Sequence, residues 1–320
     1  MMKIVVLDGH SANPGDLSWD GLAACGELQV YPRTSESELI ERAAGAEVLL
    51  TNKVVLMVPQ LEQLPGLRYI GVLATGYNVV DPEACQRRGI ALTNIPGYST
   101  SSVCQMTFAL ILGLTQQLLH HNRLVRDRSW SRSGEFCLID RPLIELQGLR
   151  LGLVGFGQIA REVARVALAF GLELQVFTAH PQHYRDDWPQ VHFVDLDELK
   201  RGSDLISLHC PLTDQTLRLV DADFLRGMKP GALLINTARG PVVDEAAVAA
   251  ALRSGELAGY AADVLGIEPP PEDHPLLDVP NCLLTPHIAW GTLAARRRLI
   301  EIAVANLRSF VAGGRENRIV

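Results

Sequence analysis

Short apolar runs separated by helical stretches recur along the whole chain, and this alternation constrains the fold more than any other feature. In the first part of the chain the runs that predict strands are Ile4–Leu7, Leu28–Tyr31, Val48–Leu50, Tyr69–Leu73 and Ile90–Thr93. Stretches such as Glu36–Ala44 and Asp81–Arg88 lie between these runs and suit helices. Strands that alternate with helices predict a parallel sheet with helical crossovers.

A second series of the same kind begins near residue 150. Its runs are Leu151–Val154, Leu172–Phe177, His192–Val194, Leu205–Leu208, Ala232–Asn236, Gly259–Ala262 and Cys282–Leu284. The 320 residues are enough for two domains of roughly 100–200 residues each. The sequence therefore predicts an α/β protein with two doubly wound parallel-sheet domains, and a cleft between such domains is a usual ligand site.

Three further segments have a distinct character. Ser99–Leu119 is mostly apolar and predicts one long helix buried on all sides, between domains or against a second subunit. Asp127–Pro142 is polar and suggests an extended arm, and Leu293–Val311 predicts a C-terminal helix.

Composition narrows the classes of function. A net charge of −7 argues against nucleic-acid binding, which needs a basic face, but leaves room for a small anionic substrate. The six cysteines form no C-x-x-C pair and no zinc-like cluster with histidines, so we expect no metal site and a reduced, cytoplasmic protein. No signal peptide and no run of about 18 apolar residues is present, so we expect no membrane span.

The motif Gly155-Phe-Gly157-Gln-Ile-Ala160 follows one predicted strand and opens a helix. In that position the first glycine permits a tight turn, and the second lets a pyrophosphate approach the backbone. The small Ala160 lets helix and strand pack closely, and the anion lies on free amides at the helix N-terminus. The order strand, glycine turn and helix therefore predicts a dinucleotide site, although a βα turn without ligand has the same outline.

The choice between NAD and NADP depends on the end of the next strand, about 20 residues on, where an acid would favour NAD. Here the chain reads Val176-Phe-Thr178-Ala-His180, without an acid. Thr178 and His180 could bond a 2′-phosphate, so the sequence favours NADP or the use of both cofactors.

Three polar residues follow predicted strands of the second series: Arg239, Glu268 and His287. Since the carboxyl ends of parallel strands line the ligand crevice, we expect these residues to meet there. Histidine can give a proton to the alkoxide that forms when hydride reaches a 2-oxo acid. A carboxylate would favour the imidazolium, and a guanidinium can clamp the substrate carboxylate and polarise the carbonyl.

Each of these residues also has a structural alternative: a turn cap for Arg239, a solvated charge for Glu268 and a structural histidine for His287. His209 precedes Cys210 and Pro211 and is expected to shape a nicotinamide pocket rather than transfer protons. The remaining histidines that lack a comparable setting are His10, His120, His121, His192 and His274.

Together these motifs resemble the D-isomer-specific 2-hydroxyacid dehydrogenases, most closely the glycerate dehydrogenase/hydroxypyruvate reductase branch, over nearly the whole chain. The residues that carry the resemblance are Ala74-Thr-Gly76-Tyr-Asn78, Gly155–Ala160, His209-Cys-Pro-Leu-Thr213, Asn236-Thr-Ala-Arg-Gly240, Asp263-Val264 with Glu268-Pro269, and Thr285-Pro-His-Ile-Ala-Trp290.

The resemblance implies a Rossmann NAD(P)-binding domain at 99–287, inserted into a flavodoxin-like substrate domain at 1–98 plus 288–320, and a homodimer with the Ser99–Leu119 helix at its interface. Arg239, Glu268 and His287 would be catalytic, and Ala74, Thr75, Gly76, Arg239 and His287 would bind the substrate. The implied cofactor residues are Gly155, Gly157, Gln158, Ile159, Thr178, His180, His209, Cys210, Pro211, Thr237, Ala238, Asp263, His287 and Gly291. Asp263 would contact the nicotinamide carboxamide, and Cys210 and Pro211 would line its ring.

Some positions separate this chain from other branches of the family. Thr75 replaces the lysine of phosphite-oxidising members, and Glu268 replaces the glutamine of formate-oxidising members. Gln105 stands where many members have glutamate. The expected reaction is the reduction of hydroxypyruvate or glyoxylate to D-glycerate or glycolate. The alternatives are another 2-oxo acid, such as pyruvate or 2-ketogluconate, and a dinucleotide-sensing protein similar to the corepressors that share this fold.

Overall fold

The computed structural model describes residues 1–320, which form two compact units. Unit 1 comprises Met1–Ser99 and Trp290–Val320, and unit 2 comprises Thr100–Ala289. Unit 2 is therefore inserted in sequence between the two segments of unit 1. The boundaries lie one residue and two residues beyond those expected from the sequence.

Unit 1 is built on a five-stranded parallel sheet. Its strands are β1 (Lys3–Val6), β2 (Glu27–Val30), β3 (Val48–Thr51), β4 (Tyr69–Val72) and β5 (Ala91–Thr93), in the order β2-β1-β3-β4-β5. Its helices are α1 (Asp20–Ala23), α2 (Leu39–Ala43), α3 (Val58–Glu62), α4 (Pro82–Arg88) and α12 (Leu293–Val311). The strand order is that of flavodoxin-like sheets. Strands β3 and β4 are buried along their whole length because helices cover both faces of the sheet.

Unit 2 contains a seven-stranded parallel sheet. Its strands are β6 (Arg150–Val154), β7 (Glu173–Phe177), β8 (Val191–Phe193), β9 (Leu205–Leu208), β10 (Leu233–Asn236), β11 (Gly259–Ala262) and β12 (Cys282–Leu284). The spatial order is β12-β11-β10-β9-β6-β7-β8. The order reverses at β6, and in such sheets ligands bind outside the carboxyl ends of the strands at this reversal. The α/β class and the two parallel sheets predicted from the sequence are confirmed.

The helices of unit 2 are α5 (Thr100–Thr115), α6 (Leu118–Arg126), α7 (Ser129–Ser133), α8 (Gln158–Ala169), α9 (Leu196–Gly202), α10 (Ala222–Arg226) and α11 (Glu245–Ser254). Of these, α5, α8, α9 and α11 contact strands of the sheet. Short 3₁₀ turns occupy Glu36–Glu38, Pro181–His183 and Gly240–Val242. Two hydrophobic clusters line the seven-stranded sheet: Leu151 and Leu153 of β6 belong to one and Val154 to the other.

The prediction of a single helix over Ser99–Leu119 is wrong. Helix α5 ends at Thr115, and α6 begins at Leu118 after a 60° bend. Gln117 has left-handed backbone angles, and its side-chain amide donates to the Leu114 carbonyl at 2.8 Å. Helix α6 has no buried residue, so only the α5 part of the predicted helix is buried.

Asp127–Pro142 is not extended throughout, because Ser129–Ser133 forms the short helix α7. No single helix of the chain is long and apolar enough to cross a membrane, while the bent pair α5 and α6 meets that test only when the two are counted together.

Candidate active site

The candidate residues of unit 2 follow the carboxyl ends of its strands. The glycine motif follows β6, Thr178 and His180 follow β7, and His209–Pro211 follow β9. Arg239 follows β10, Asp263 and Glu268 follow β11, and His287 follows β12. Adjacent strands lie roughly 4.8 Å apart. The parallel topology therefore brings residues that are more than a hundred positions apart in sequence to one edge of the sheet.

Gly155 and Gly157 meet different requirements in the turn between β6 and α8. Gly155 has φ of +93°, and a Cβ there would lie 2.8 Å from the His209 carbonyl oxygen after β9. Gly157 is the N-cap of α8, and a Cβ there would meet nothing within 4 Å. The first glycine thus closes the turn at the reversal point, and the second leaves open space in front of the helix.

The open end of α8 fits the pyrophosphate of a dinucleotide. No side chain caps this helix, and its first residues, Gln158 and Ile159, carry amides that have no intrahelical carbonyl to bond. Their dipoles add to a partial positive charge at the helix N-terminus. Gln158, Ile159 and Gly157 are therefore placed to hold an anionic group through backbone donors.

Phe156 anchors the glycine turn to the segment that follows β7. Its buried ring makes edge-to-face contacts with Tyr184 and Trp188, both at 5.2 Å between centroids, and with Phe193 at 5.6 Å. Aromatic pairs in this geometry contribute roughly 0.5–1.5 kcal/mol each beyond area burial. The cluster couples the position of the dinucleotide cradle to the loop that carries His180.

The end of β7 presents a polar surface without a carboxylate. Thr178 is half-buried, Ala179 and His180 are exposed, and the His180 ring stacks on His183 at 5.3 Å. No acid occurs between Phe177 and His183.

His209 and Cys210 are uncharged at neutral pH. Burial lowers the pKa of the His209 imidazole to about 4, and its Nε2 lies 2.9 Å from the Ser207 hydroxyl. Burial also raises the pKa of the Cys210 thiol. The neutral imidazole and thiol are followed by Pro211, and neither group is an acid near neutral pH.

His287 and Glu268 form the one acid–base pair at this edge with a direct bond. Nδ1 of His287 lies 2.6 Å from Oε2 of Glu268, and the two side chains are 28% and 34% exposed. Oε1 of Glu268 accepts from the Leu265 amide at 2.9 Å. With Nδ1 on the carboxylate, Nε2 of His287 is left to face a substrate.

Asp263 fixes the backbone on both sides of His287. Its Oδ1 accepts from the Thr285 hydroxyl at 2.6 Å and the Ile288 amide at 2.9 Å, and Oδ2 accepts from the Ala289 amide at 2.7 Å. His287 itself has φ of +55°, a left-handed conformation that is uncommon outside glycine. The buried carboxylate therefore holds a strained turn, which aims the imidazole.

Arg239 is exposed at the end of β10 and is held by its neighbours. Asn236 donates to the Arg239 carbonyl at 3.0 Å and accepts from the Ala238 amide at 3.0 Å, which closes a tight turn around Thr237. A guanidinium N–H of Arg239 donates to the Ala238 carbonyl at 2.7 Å. These bonds leave further donors of the guanidinium for an anionic ligand.

Gly240 brings the Arg239 turn against the segment that carries Glu268. A Cβ at Gly240 would lie 2.0 Å from the carbonyl carbon of Leu265 and 2.4 Å from the amide nitrogen of Gly266. The sequence places Gly240 in a motif but does not predict this close contact, because no sequence pattern pairs residues 240 and 265.

We expect Gly240→Ala to lower kcat/KM about tenfold, because the new methyl group forces Leu265 and Gly266 away and moves Glu268 relative to Arg239. The check is steady-state kinetics together with a dinucleotide titration, in which affinity stays within about twofold. Gly66→Ala is the matched control, since a Cβ there has its nearest atom at 4.0 Å. Unchanged kinetics in the Gly240 variant would contradict this role of the close approach.

The segment Ala74–Gly76 follows β4 in unit 1. The Thr75 hydroxyl donates to the Ile95 carbonyl at 2.9 Å, and Asn94 donates to the Thr75 carbonyl at 2.7 Å. Ile95 donates its amide to the Ala74 carbonyl at 3.0 Å. These bonds fix the backbone of the segment, and Thr75 itself is exposed.

The neighbouring turn after β3 is fixed by a buried carboxylate. Asp8 accepts from the amides of Asn52 at 2.8 Å and Lys53 at 2.6 Å. Burial raises the pKa of the Asp8 carboxyl in spite of these bonds. Gly291, also in unit 1, accepts through its carbonyl from Arg296 at 3.0 Å.

Known proteins are similar to this chain over most of its length. Residues 108–289 match the model for "D-isomer specific 2-hydroxyacid dehydrogenase, NAD binding domain". The chain is 42% identical over 319 residues to a hydroxypyruvate reductase from Blautia hydrogenotrophica, covering 99% of both chains. It is 38% identical to a glycerate dehydrogenase from Methylorubrum extorquens, covering 91% of both chains.

The structure of D-lactate dehydrogenase from Aquifex aeolicus, complexed with NAD and lactic acid, superimposes with a TM-score of 0.86 at 29% identity over 99% of both chains. The family match, the full-length relatives and this superposition agree with one another and with the cradle at α8. The cofactor is accordingly a nicotinamide dinucleotide, and the chain is an oxidoreductase that belongs to the D-isomer specific 2-hydroxyacid dehydrogenase family.

Proposed function

We propose that the protein reduces hydroxypyruvate and glyoxylate to D-glycerate and glycolate. The observation that carries the proposal is the bonded pair of His287 and Glu268 at 2.6 Å, at the same sheet edge as the Arg239 guanidinium and the dinucleotide cradle. The similarity to a hydroxypyruvate reductase and a glycerate dehydrogenase supports the substrate class.

In the proposed reaction His287, Glu268 and Arg239 have separate roles. A bound dinucleotide supplies the hydride that reaches the carbonyl carbon. His287 donates its Nε2 proton to the oxygen that becomes the alkoxide, and Glu268 stabilises the imidazolium before that transfer. Arg239 binds the substrate carboxylate and polarises the carbonyl. Oxidation of the hydroxy acid uses the same groups in reverse, with neutral His287 as the base.

The backbone of Ala74, Thr75 and Gly76 is proposed to bind the substrate carboxylate, and Asp263 to bind the nicotinamide carboxamide as well as the His287 turn. Thr237, Ala238 and Gly291 are proposed as further dinucleotide contacts. The bonds that fix the Thr75 backbone support the first of these roles, because an anion site needs preorganised donors.

A panel of 2-oxo acids tests the substrate proposal. Turnover of each acid is followed by the loss of absorbance of the reduced cofactor. We expect the highest kcat/KM for hydroxypyruvate and glyoxylate, ahead of pyruvate, 2-ketogluconate and branched 2-oxo acids. A clear preference for one of the latter would replace the substrate and keep the mechanism. No turnover with any acid, combined with tight dinucleotide binding, would favour the sensing function.

We further propose that the enzyme uses NADP(H), alone or together with NAD(H). The half-buried Thr178 and the exposed His180 offer hydrogen-bond donors where an acid would repel a 2′-phosphate. The ratio of kcat/KM with NADPH to that with NADH measures this preference.

Thr178→Asp places an acid at the end of β7 and is expected to lower kcat/KM for NADPH about tenfold or more, because a carboxylate repels the 2′-phosphate. Values for NADH stay the same or rise, since the carboxylate can bond the free ribose hydroxyl. Thr178→Ser, which keeps the hydroxyl, is the matched control. If the NADPH value did not change in the Asp variant, the 2′-phosphate would lie elsewhere.

A homodimer in the cytoplasm is proposed as the state of the protein. Several apolar side chains of the segment 118–143 are exposed in the single chain: Leu118, Leu119, Val125, Trp130, Phe136, Ile139 and Leu143. Such a concentration of exposed apolar surface is typical of an interface. Light scattering of the purified protein tests the dimer, and a monomer mass at micromolar concentration would contradict it.

All six cysteines are free thiols, in keeping with a reducing compartment such as the proposed cytoplasm.

A further inference from the structure

Glu245 is a partly buried carboxylate that the proposed reaction does not use. It is the first residue of α11, and its side chain is 15% exposed. Oε1 accepts the amide proton of Gly266 at 2.8 Å, and Oε2 lies 3.0 Å from Nε2 of His274. Both oxygens are therefore bonded to a single segment that lies more than twenty residues further along the chain.

His274 is deeply buried, with only 5% of its side chain exposed. Its Nδ1 faces the Leu276 amide at 3.4 Å and acts there as an acceptor. With Nδ1 as acceptor, the ring proton lies on Nε2 and is donated to Glu245. In the sequence His274 has no setting comparable to that of the strand-end residues, and in the structure its ring is hydrogen-bonded to Glu245.

The two bonds of Glu245 bracket the loop Gly266–His274, and this loop contains Glu268. Between the bracketing residues the loop is mainly exposed, and Ile267 is 64% exposed. A segment with so little buried apolar surface has few contacts to hold its conformation. The Gly266 anchor is also close-packed, since a Cβ there would lie 2.8 Å from Oε2 of Glu245.

Glu268 depends on the conformation of this loop. Its Oε1 accepts from Leu265, the residue before the first anchor, and its Oε2 meets His287 at 2.6 Å. A displacement of Gly266 by about 1 Å would lengthen both bonds, and charge-assisted bonds weaken quickly with distance.

We propose that Glu245 and His274 form a positioning pair that holds Glu268 against His287. The inference rests on the roles proposed above for Glu268 and His287, and it concerns residues that touch neither substrate nor cofactor. The pair acts through the backbone at Gly266 and through the second end of the loop at His274.

The charged and titratable groups around the two sites are few. His287 is faced by Glu268, and Asp263 bonds the backbone on either side of it. Glu245 is faced by His274 and lies close enough to the buried Tyr260 phenol to act on its pKa. Asp244 caps α11 through the amides of Ala246 and Ala247. Apart from Glu268, no carboxylate among these lies in direct contact with the His287 ring.

The test is the pH dependence of kcat/KM for 2-oxo acid reduction in Glu245→Ala, with Glu268→Gln as the reference. Reduction needs the protonated imidazole, so the rate declines as pH rises. The midpoint of that decline in Glu268→Gln, which lacks the carboxylate bonded to His287, is compared with that of wild type and gives the reference shift. We expect Glu245→Ala to move it in the same direction by at least half of that shift. Near pH 5 the rate stays within about threefold of the wild-type rate.

Two further variants sharpen the result. Glu245→Gln keeps an acceptor for Gly266 and is expected to give an intermediate shift, and it decides the question if the alanine variant does not fold. Asp273→Asn is the matched control, because Asp273 is an exposed acid next to His274 in the same loop, and its midpoint is expected to equal that of wild type.

An NMR titration of the His287 imidazole without cofactor or substrate provides a second readout, with the signal assigned from its absence in His287→Ala. A shifted midpoint in Glu268→Gln together with wild-type midpoints in both Glu245 variants would overturn the positioning role. A midpoint that is unshifted in Glu268→Gln itself would overturn the proposed function of Glu268, and the inference with it. Lower thermal stability of the Glu245 variants without a change of midpoint would assign the pair to stability alone.

Discussion

His287→Ala is expected to lower kcat for 2-oxo acid reduction by about 10²-fold or more, because no other group in direct contact with this position can donate a proton to the forming alkoxide. Dinucleotide affinity is expected to stay within about twofold. The His287 turn is held by Asp263 through backbone amides and the Thr285 hydroxyl, and none of these bonds involves the imidazole. The cradle at Gly157 belongs to a different strand end.

The variant also loses a pH dependence. The proposed mechanism predicts that the wild-type rate of reduction falls as pH rises and that this decline is absent from the variant. Stopped-flow absorbance across the pH range measures both effects. His192→Ala is the control, since His192 is exposed on the edge strand β8. Normal turnover of His287→Ala would remove this residue from the mechanism.

Arg239→Gln is expected to lower kcat/KM by about 30- to 4,000-fold, which corresponds to the roughly 2–5 kcal/mol lost when a bound anion loses its charged partner. Both KM and kcat contribute to this loss of kcat/KM. KM rises because the substrate carboxylate loses its clamp, and kcat falls because the carbonyl is less polarised. Arg239→Lys keeps the charge without the planar fork and should recover only part of the loss.

The control for this series is Arg201→Gln. Arg201 is exposed in the last turn of α9, and no role in the site is proposed for it. Dinucleotide binding is measured in parallel by fluorescence titration. Wild-type KM and kcat in Arg239→Gln would contradict the proposed role of Arg239. In that case Arg239 would serve only the turn that Asn236 closes, which is the structural alternative stated in the sequence analysis.

The strands were predictable from the sequence because each is a short apolar run bounded by polar residues. Leu205–Leu208, Gly259–Ala262 and Cys282–Leu284 begin and end where the sequence predicts. The helix break at Gln117 was not predictable, since neither glycine nor proline marks it. The left-handed turn there is stabilised by a bond to Leu114, which local propensity does not reveal.

Some residues of the candidate site could likewise be predicted from the sequence, and others could not. Residues in ordered motifs at strand ends, such as Arg239 and His287, could be placed from the sequence because parallel topology determines where strand ends lie. Glu245 resembles an ordinary acid in the first turn of a helix, where the helix dipole alone explains it. Its partner His274 lies 29 residues away in a proline-rich loop. Such a contact depends on tertiary packing, which no local pattern encodes.

The most direct test of the central claim follows the hydride itself. Hydroxypyruvate is reduced with the 4R- and the 4S-deuterated forms of the reduced dinucleotide in turn, and the glycerate is analysed by chiral chromatography and mass spectrometry. The proposed reaction yields D-glycerate, with deuterium at C2 from one of the two forms only. L-glycerate, or glycerate without deuterium from either form, would contradict the proposed hydride transfer.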